Sequence, residues 1–444
     1  MKSKPRLLGR CFAAVTAFAV GFFTTPATAQ ARANAIFVAN NGNLEGSVTA
    51  FRVESEGTPE FRNRIVTGTR TSTTQPCSGC NAYTIDITPD GRFIATGHAA
   101  GDPPLPDGLT VFSIADDARI TQVVHVQLSN LGSPLNVRWV NNEFLAVTRT
   151  SSPSNGAALY RFNPDAVGGP TLTNVDFDAA GGFSTALAVH PSGQYVFMQN
   201  TSGGSGVFTF AFNGSTLAPV GFLATSGYPL GIGVSPNGLW LYGGGGISGG
   251  SHNINGLAID PASGALSTIP GSPFFSAGNS PKQVAVSGDN LLAFAAHGSD
   301  STVHSFSIDP ATGALASTGF SVDIGVQGSL GEVEPLGNVL YALDRDTITD
   351  GVRGVRMYAI GGDGSMTAFG GVVSTQGIGP NELAVWNGPD TIPADINQDG
   401  VVDGLDLGIL LALWGHIGIT AADFNQDGIV DGLDLGILLA SWTL

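Results

Sequence analysis

Short apolar runs separated by tight turns recur through the middle of the chain. The clearest copies surround Gly91, Gly193 and Gly238, where an alternating apolar strand, a Pro/Asn/Asp-Gly turn and a second apolar strand follow one another. Weaker copies place the equivalent turn residue at Asn142, Asn290, Gly337 and Gly388. Successive turn positions lie 45 to 52 residues apart, a spacing typical of four-stranded propeller blades.

The repeat begins and ends inside a blade. Residues 35–40 have the pattern of a second strand without its first, whereas residues 382–386 have the pattern of a first strand without the others. Pairing of these two segments would complete one blade, close a ring of seven and leave no open sheet edge. We therefore predict a mainly β fold, with a seven-bladed β-propeller over residues 30–386.

The C-terminal residues carry a different pattern, and they carry it twice, 28 residues apart. Each copy places side-chain oxygens at positions 1, 3, 5, 9 and 12 of a twelve-residue loop, a glycine at position 6 and a main-chain carbonyl at position 7, the arrangement that encloses Ca²⁺. The predicted ligands are Asp395, Asn397, Asp399, Val401, Asp403 and Asp406 in the first loop, and Asp423, Asn425, Asp427, Ile429, Asp431 and Asp434 in the second. The sequence thus predicts two calcium ions.

Each loop is followed by an amphipathic helical pattern. Apolar residues fall at i, i+3, i+4 and i+7, namely Leu407, Leu410, Leu411 and Trp414, and again Leu435, Leu438, Leu439 and Trp442. Because helices this short are marginal alone, we expect the two leucine and tryptophan faces to pack together.

A duplicated calcium loop followed by a helix, without a leading helix, resembles the type I dockerins. The resemblance covers about residues 391–444 and places a small α-helical calcium-binding dockerin domain at residues 395–444, after a linker at 387–394. It implies a calcium-dependent, cohesin-like protein partner. In that family loop positions 10 and 11 help to select the partner, and here they are Gly404, Leu405, Gly432 and Leu433.

The N-terminus predicts export. Basic residues precede an apolar run at residues 11–23, and small residues follow at Ala27 and Ala29, as in a cleaved signal peptide over residues 1–29. The run is shorter than the roughly 20 residues of a membrane-spanning helix, so we expect no stable membrane anchor. The protein is expected to be secreted, in an extracellular or periplasmic location.

Composition narrows the remaining choices. The formal net charge is −17, which disfavours binding to nucleic acid. With 63 glycines and only 12% charged residues, the chain is rich in strands and turns rather than disordered. Cys77 and Cys80 form a short pair, for which a local disulfide is favoured over a redox-active pair or a zinc site.

Residues 35–386 also resemble the seven-bladed lactonase-type propellers, which include 6-phosphogluconolactonase-like proteins. Catalytic sites in that family use a Glu and Arg residues near the channel. The positions aligned with the family's charged motifs here hold Gln199, Asn200 and Ala296. The resemblance therefore implies the fold without the family's catalytic residues.

Three functions remain open for the propeller. We favour a recognition or scaffold module in an extracellular complex, related to polysaccharide, with a glycan or protein as ligand. The alternative is a lactonase-like or other hydrolase with a relocated or degenerate site, for which His98, His297 and Asp344 are candidates. A third is a structural role. Asp86, Arg138 and Arg345 also lie near strand ends, where they could line a channel mouth or serve as turn and surface residues.

Overall fold

In the computed structural model the chain divides into two compact units, one of residues 31–390 and one that includes residues 391–444. The structure describes residues 33–99, 106–128, 132–150, 155–180, 182–201, 204–226, 231–245, 251–325, 328, 330–345, 353–388, 394, 396, 402–416, 422–425 and 428–442. The expected signal peptide lies outside the described residues, as do five predicted calcium ligands, Asp395, Asn397, Asp399, Val401 and Asp427.

The larger unit consists of 29 described strands. In chain order they are β1 (Ala35–Asn41), β2 (Glu45–Val53), β3 (Pro59–Thr69), β4 (Ala82–Ile87), β5 (Phe93–His98), β6 (Asp107–Ile114), β7 (Ile120–Leu128), β8 (Val137–Trp139), β9 (Phe144–Arg149), β10 (Gly156–Asn163), β11 (Thr171–Ala179), β12 (Ser184–Val189), β13 (Tyr195–Asn200), β14 (Gly206–Phe212), β15 (Leu217–Ala224), β16 (Ile232–Val234), β17 (Trp240–Gly244), β18 (Asn253–Ile259), β19 (Leu266–Thr268), β20 (Phe274–Phe275), β21 (Pro281–Val286), β22 (Leu292–His297), β23 (Thr302–Ile308), β24 (Leu315–Asp323), β25 (Leu330–Leu336), β26 (Val339–Asp344), β27 (Gly354–Ile360), β28 (Met366–Ser374) and β29 (Pro380–Trp386).

These strands form seven antiparallel sheets, which confirms the predicted propeller. Blades 1 to 6 follow the chain, from the channel outwards: β4 to β7, β8 to β11, β12 to β15, β16 to β19 with β20 added, β21 to β24, and β25 to β28. Blade 7 has the order β29-β1-β2-β3, so the two ends of the repeat pair as expected. This pairing closes the ring with main-chain hydrogen bonds.

Burial follows the position of each strand in its blade. The second strand is covered on both faces, so β9, β13 and β22 are buried along their whole length and read as apolar runs. The outermost strands, such as β11 and β15, are mostly exposed. The hydrophobic core therefore lies between neighbouring blades, where sheet packs on sheet.

The turn residues that defined the repeat have a shared conformation. Five of the seven aligned positions have positive φ, namely Gly91 (63°), Gly193 (69°), Gly238 (74°), Asn290 (63°) and Gly337 (57°). Gly and Asn tolerate this left-handed conformation, which explains their recurrence. Elsewhere in the propeller, Cys77 and Cys80 are joined by a disulfide.

The smaller unit contains two helices, α1 (Gly404–Ala412) and α2 (Gly432–Ala440). Each begins at position 10 of its loop, three residues before the predicted apolar pattern, which starts at Leu407 and Leu435. Leu410 and Leu438 are fully buried in the core of this unit. No helix in the described part of the chain has the length and apolar character needed to cross a membrane.

Candidate functional site

Polar side chains on the innermost strands connect neighbouring blades. In this arrangement a side-chain oxygen of one blade accepts a hydrogen bond from a main-chain N–H of the next blade. That N–H has no hydrogen-bond partner within its own sheet, so the contact satisfies it. The pairs are Thr84 Oγ1 with Val137 N (3.2 Å), Asn136 Oδ1 with Leu187 N (3.2 Å), Gln283 Oε1 with Val333 N (3.0 Å) and Glu332 Oε2 with Leu383 N (3.1 Å). We call these contacts inter-blade caps.

A β-bulge lies at or just before the position equivalent to Thr84 in several blades. The register shifts between Ala82 and Thr84 in blade 1, and again between Ser184 and Ala186, between Pro281 and Gln283, and between Leu330 and Val333. A bulge adds one residue to a strand and redirects its side chain. Extra residues at these bulges, including Tyr83, Thr185 and Lys282, line one end of the channel.

This end of the channel is a cavity of about 400 Å³, which we call the mouth chamber. Its charged wall consists of Arg138, Lys282, Arg345, Glu332 and Glu382. The remaining lining includes apolar residues, namely Leu135, Phe183, Ala186, Leu187 and Ile232. The chamber thus combines charged and apolar lining, an arrangement typical of small-molecule sites.

Arg138 is the central cation of the mouth chamber. Its Nη1 donates to Glu382 Oε1 at 2.6 Å and to the carbonyl oxygen of Val137 at 2.8 Å. The carboxylates Glu382 and Asp86 raise the pKa of Arg138 against the effect of its burial. Arg138 is therefore permanently charged and holds a carboxylate beside it.

The two glutamates of the chamber differ in their surroundings. Burial raises the pKa of Glu382, while the contact with Arg138 opposes that rise. Burial, followed by repulsion from Glu382, raises the pKa of Glu332 well above its ordinary value. Both carboxyl groups are thus buried, and a direct hydrogen bond from Arg138 stabilises the carboxylate form of Glu382. Different surroundings of neighbouring carboxyl groups suit acid and base roles.

Lys282 and Arg345 provide further positive charge. Burial, and then repulsion by Arg345, lowers the pKa of Lys282 to about 8. The Lys282 ammonium donates to the carbonyl oxygen of Leu330 at 2.9 Å. Both cations line the same chamber as Glu332 and Glu382, so a bound molecule can meet donors and acceptors together.

A second cavity of about 400 Å³, the inner chamber, continues the channel. Arg138, Ile232, Gln283 and Glu332 line both chambers and so separate them. Burial raises the pKa of Glu334 to about 8 and that of Asp86 to about 6. Asp86 accepts a hydrogen bond from Trp139 N at 2.6 Å, and Glu334 accepts one from Gln283 at 3.0 Å.

Three of the sequence candidates line the channel, and three do not. Asp86, Arg138 and Arg345 face its chambers. His98 is buried against Thr110, His297 bonds to Ser276, and Asp344 forms an ion pair with Arg356, all away from both chambers. Burial lowers the pKa of His98 to about 3 and that of His297 to about 4.

The sequence analysis missed Lys282, Glu332, Glu334 and Glu382. The sequence could have indicated them, because charged residues are rare inside buried strands. These four lie on the innermost strands of three blades. Gln199 lies on β13, the second strand of its blade, and lines neither chamber. The channel therefore takes its charges from positions other than those at which the family motifs align.

In the smaller unit, loop positions 9 and 12 also start the helices. Asp403 caps α1 by accepting from Leu405 N at 2.7 Å, and Asp406 Oδ2 accepts from Asp403 N at 3.0 Å. Asp431 and Asp434 repeat this capping box at α2. Asp406 and Asp434 are fully buried, and each also accepts from a main-chain N–H near the start of its loop, that of Ile396 and Phe424 respectively.

The fit of this unit to calcium can be judged at Asp423, position 1 of the second loop. Asp423 is buried, and its Oδ1 has no hydrogen-bond partner, whereas Oδ2 accepts from Gly428 N at 3.0 Å. A buried carboxylate oxygen without a donor fits a cation ligand. Within the described residues alone, no three Asp, Glu, His or Cys side chains are grouped to hold a metal ion.

The expected helix packing is found for Leu407, Leu410, Leu435 and Leu438, but it was wrong for the other four residues. Leu411 and Leu439 are 53% exposed, and Trp414 and Trp442 are 48% and 37% exposed, so these residues do not pack between the helices. Leu405 and Leu433 are 63% exposed. The tryptophans lie beyond the last helical turn, where the helix geometry no longer directs them to the core. Both halves thus present the same exposed apolar residues.

Comparison with known proteins agrees with this division. Residues 393–440 match the dockerin type I domain, so the propeller is followed by a type I dockerin domain. Type I dockerin domains bind calcium and cohesins, and dockerin proteins are typically extracellular. Comparison with curated protein sequences gives no match.

Solved structures match the propeller. The periplasmic gluconolactonase of Pseudomonas aeruginosa is 17% identical, with a TM-score of 0.62 over 80% of this chain and 99% of that one. A candidate 6-phosphogluconolactonase of Bacteroides uniformis is 18% identical, with a TM-score of 0.61 over 80% and 99%. A protein of Desulfotomaculum acetoxidans of unknown function is 14% identical, with a TM-score of 0.60 over 80% and 100%. At these identities the likeness shows a shared fold.

Proposed function

We propose that this protein is exported and held in an extracellular complex by its dockerin domain, and that its propeller channel binds a small polyhydroxylated ligand such as a sugar or sugar lactone. The observation that carries the proposal is the mouth chamber, where Arg138, Lys282, Arg345, Glu332 and Glu382 converge. A closed ring of sheets holds these groups on rigid strands rather than on loops.

The chemistry of the chamber favours this ligand class. Carboxylates accept hydrogen bonds from hydroxyl groups, and the cations donate to hydroxyl, ring or carbonyl oxygens. Phe183 and Leu135 offer apolar surface to the C–H face of a ring. Three cations and two carboxyl groups line the chamber, so it is suited to an uncharged polar molecule or a weakly anionic one.

Hydrolysis of a lactone is the second candidate, favoured by the contact of Arg138 with Glu382 and by the raised pKa of Glu332 beside it. Glu382 would take a proton from water as the water oxygen attacks the lactone carbonyl carbon. Arg138 and Lys282 would stabilise the negative charge on the carbonyl oxygen. The ring C–O bond then breaks, and the leaving oxygen takes a proton from Glu332. The product is a hydroxy acid.

One experiment separates binding from hydrolysis. Titration of the full chain with D-glucono-1,5-lactam, a stable lactone analogue, measures binding by calorimetry, and acid release from D-glucono-1,5-lactone measures hydrolysis. Glu382→Gln should leave lactam binding within about threefold but lower any hydrolysis by about 100-fold or more. Glu54→Gln, a change at the partly exposed partner of Arg52 and away from both chambers, is the matched control. Absence of lactam binding and of lactone hydrolysis in the unaltered protein contradicts the proposal.

For the dockerin domain we propose two calcium ions. Asp395, Asn397, Asp399, Val401, Asp403 and Asp406 would hold one, and Asp423, Asn425, Asp427, Ile429, Asp431 and Asp434 the other. The unpartnered Oδ1 of Asp423 supports the second site. Bound calcium would fix the acidic loops from which α1 and α2 begin and so order the domain.

We further propose that a cohesin-like protein binds the exposed residues shared by the two halves. Leu405 and Leu433 follow Gly404 and Gly432 at the start of each helix, and their equal exposure gives the two halves matching surfaces. Capture of the full chain by an immobilised cohesin, with calcium and with excess chelator, tests this. The double change Leu405→Asp and Leu433→Asp should abolish capture, while Leu44→Asp on the propeller, also exposed, should not. Equal capture in chelator contradicts the proposal.

A further inference from the structure

The inter-blade caps come from one equivalent position at the start of the innermost strand, and two blades lack a side-chain oxygen there. The capping position is Thr84, Asn136, Gln283 and Glu332 in blades 1, 2, 5 and 6. In blades 3 and 4 this position holds Ala186 and Ile232. The strand register shows the equivalence, because Ala186 pairs with Gln199 and Ile232 with Gly243, just as Thr84 pairs with Gly97. Neither side chain has an oxygen. Two neighbouring blades therefore provide no cap.

The donors left without a cap can be identified from the same register. The capped residues Val137 and Leu187 pair with Val147 and Met198, and Gly233 and Val284 hold the equivalent pairs with Tyr242 and Ala295. In an antiparallel ladder, alternate N–H groups of an edge strand point away from its partner. The N–H groups of Gly233 and Val284 thus point out of their sheets, and no hydrogen bond to a neighbouring blade is found for either among the described residues.

The two donor residues belong to neighbouring blades and line the same cavity. Gly233 and Val284 both line the inner chamber, and Ile232, next to Gly233 on β16, lines both chambers. A Cβ atom on Gly233 would lie 2.3 Å from the carbonyl oxygen of Val284, so the two strands approach each other closely. The absence of a side chain at Gly233 is what permits this approach.

We propose that the Gly233 and Val284 N–H groups form a ligand subsite, in which a hydroxyl oxygen of an uncharged polyhydroxylated molecule takes the place of the missing caps. The subsite rests on the proposed function, because it assumes that such a molecule enters the channel. An uncharged oxygen is favoured over a carboxylate because Asp86, Glu332 and Glu334 line the same chamber. Those groups remain available to the ligand's hydroxyls.

A substitution can supply the missing cap and so occupy the subsite with a side-chain hydroxyl. Thr84 shows that a threonine hydroxyl reaches the N–H of the next blade, at 3.2 Å from Val137 N. Ile232→Thr should therefore cap Val284 and compete with the ligand, while Ile232→Val has the same shape without the oxygen. Calorimetry of the full chain with D-glucono-1,5-lactam should give about tenfold weaker binding for Ile232→Thr than for Ile232→Val, about the effect of one hydrogen bond. Ala186→Ser, which supplies a hydroxyl toward Gly233, should also weaken binding.

A spectroscopic measurement reports on the donor itself. In protein labelled with ¹⁵N-valine, the amide signal of Val284, assigned from its loss in Val284→Ile, should shift when the lactam is added and should already be displaced in Ile232→Thr without ligand. Equal lactam affinity of Ile232→Thr and Ile232→Val, with no change at Val284, overturns the subsite while leaving channel binding intact. No lactam binding to the unaltered protein overturns the subsite and the proposed ligand class together.

Discussion

Arg138 Nη1 lies 2.6 Å from Glu382 Oε1, although 244 residues separate the two in the chain. Arg138 belongs to blade 2 and Glu382 to the composite blade 7. Blade 1 lies between these two blades in the ring, so the contact joins blades that are not neighbours. It joins a permanently charged group to one of several buried carboxyl groups.

Removing Arg138 should destabilise the propeller in a pH-dependent way. Arg138→Met leaves Glu382 and Glu332 buried without their cation, which should cost about 3 kcal/mol or more of unfolding free energy at pH 8. Because burial raises the pKa of both carboxyl groups, protonation at pH 5 should recover much of this loss. Urea unfolding at the two pH values measures it. Arg52→Met, which breaks the partly exposed pair with Glu54, should change stability by less than about 1 kcal/mol, and an equal loss from both variants would contradict the prediction.

The buried histidines should make the propeller sensitive to acid. The pKa of His297 in the folded protein is about 4, below its ordinary value of 6.5, so the unfolded state binds a proton that the folded state excludes. Its contribution to stability is present above pH 6.5 and is lost as the pH falls towards 4. His98, with a pKa of about 3, acts in the same direction over a wider range.

Unfolding at pH 5 should therefore include the uptake of about one proton by the His297 ring. Calorimetry in two buffers of different ionisation enthalpy measures the net proton uptake, and His297→Asn should lower it by about one proton. His252→Asn is a comparison at another propeller histidine. Uptake that is unchanged in His297→Asn would show that this ring is already protonated in the folded state.

Gly91 should be intolerant of a side chain for two reasons. Its φ is 63°, and a Cβ atom there would lie 2.4 Å from the Trp386 ring of blade 7. Gly91→Ala should cost about 2 to 4 kcal/mol, from backbone strain and steric overlap. Gly168→Ala separates the two causes, because Gly168 has a φ of 99° but nothing within 4 Å of the added atom, so about 1 kcal/mol is expected. Thermal unfolding compares them, and equal losses would rule out the steric contribution.

The second calcium loop should depend on Asp423. Asp423→Ala removes the position 1 ligand, so calorimetric titration of the full chain should fall from about two calcium ions to about one. Asp363→Ala, at an exposed propeller turn, should leave the stoichiometry unchanged. Two ions in both variants would show that Asp423 is not a ligand.

Local patterns were enough to determine much of this protein. The repeated strand and turn spacing around Gly91, Gly193 and Gly238 predicted the seven blades, since each turn depends on neighbouring residues. The pairing of β1 with β29 followed from incomplete blades at both ends of the repeat. The C-terminal dockerin domain was likewise predictable, because the residues of each loop and helix are close in sequence.

The channel site was decided by the tertiary structure. Lys282, Glu332 and Glu382 come from three blades, and only ring closure brings them near Arg138. A bulge directs Lys282 into the mouth chamber, and its position depends on the strand register within blade 5. The missing caps at Ala186 and Ile232 likewise depend on register and on the approach of the next blade. Sequence patterns report short-range periodicity, whereas the convergence of these side chains depends on the curvature and closure of the whole ring.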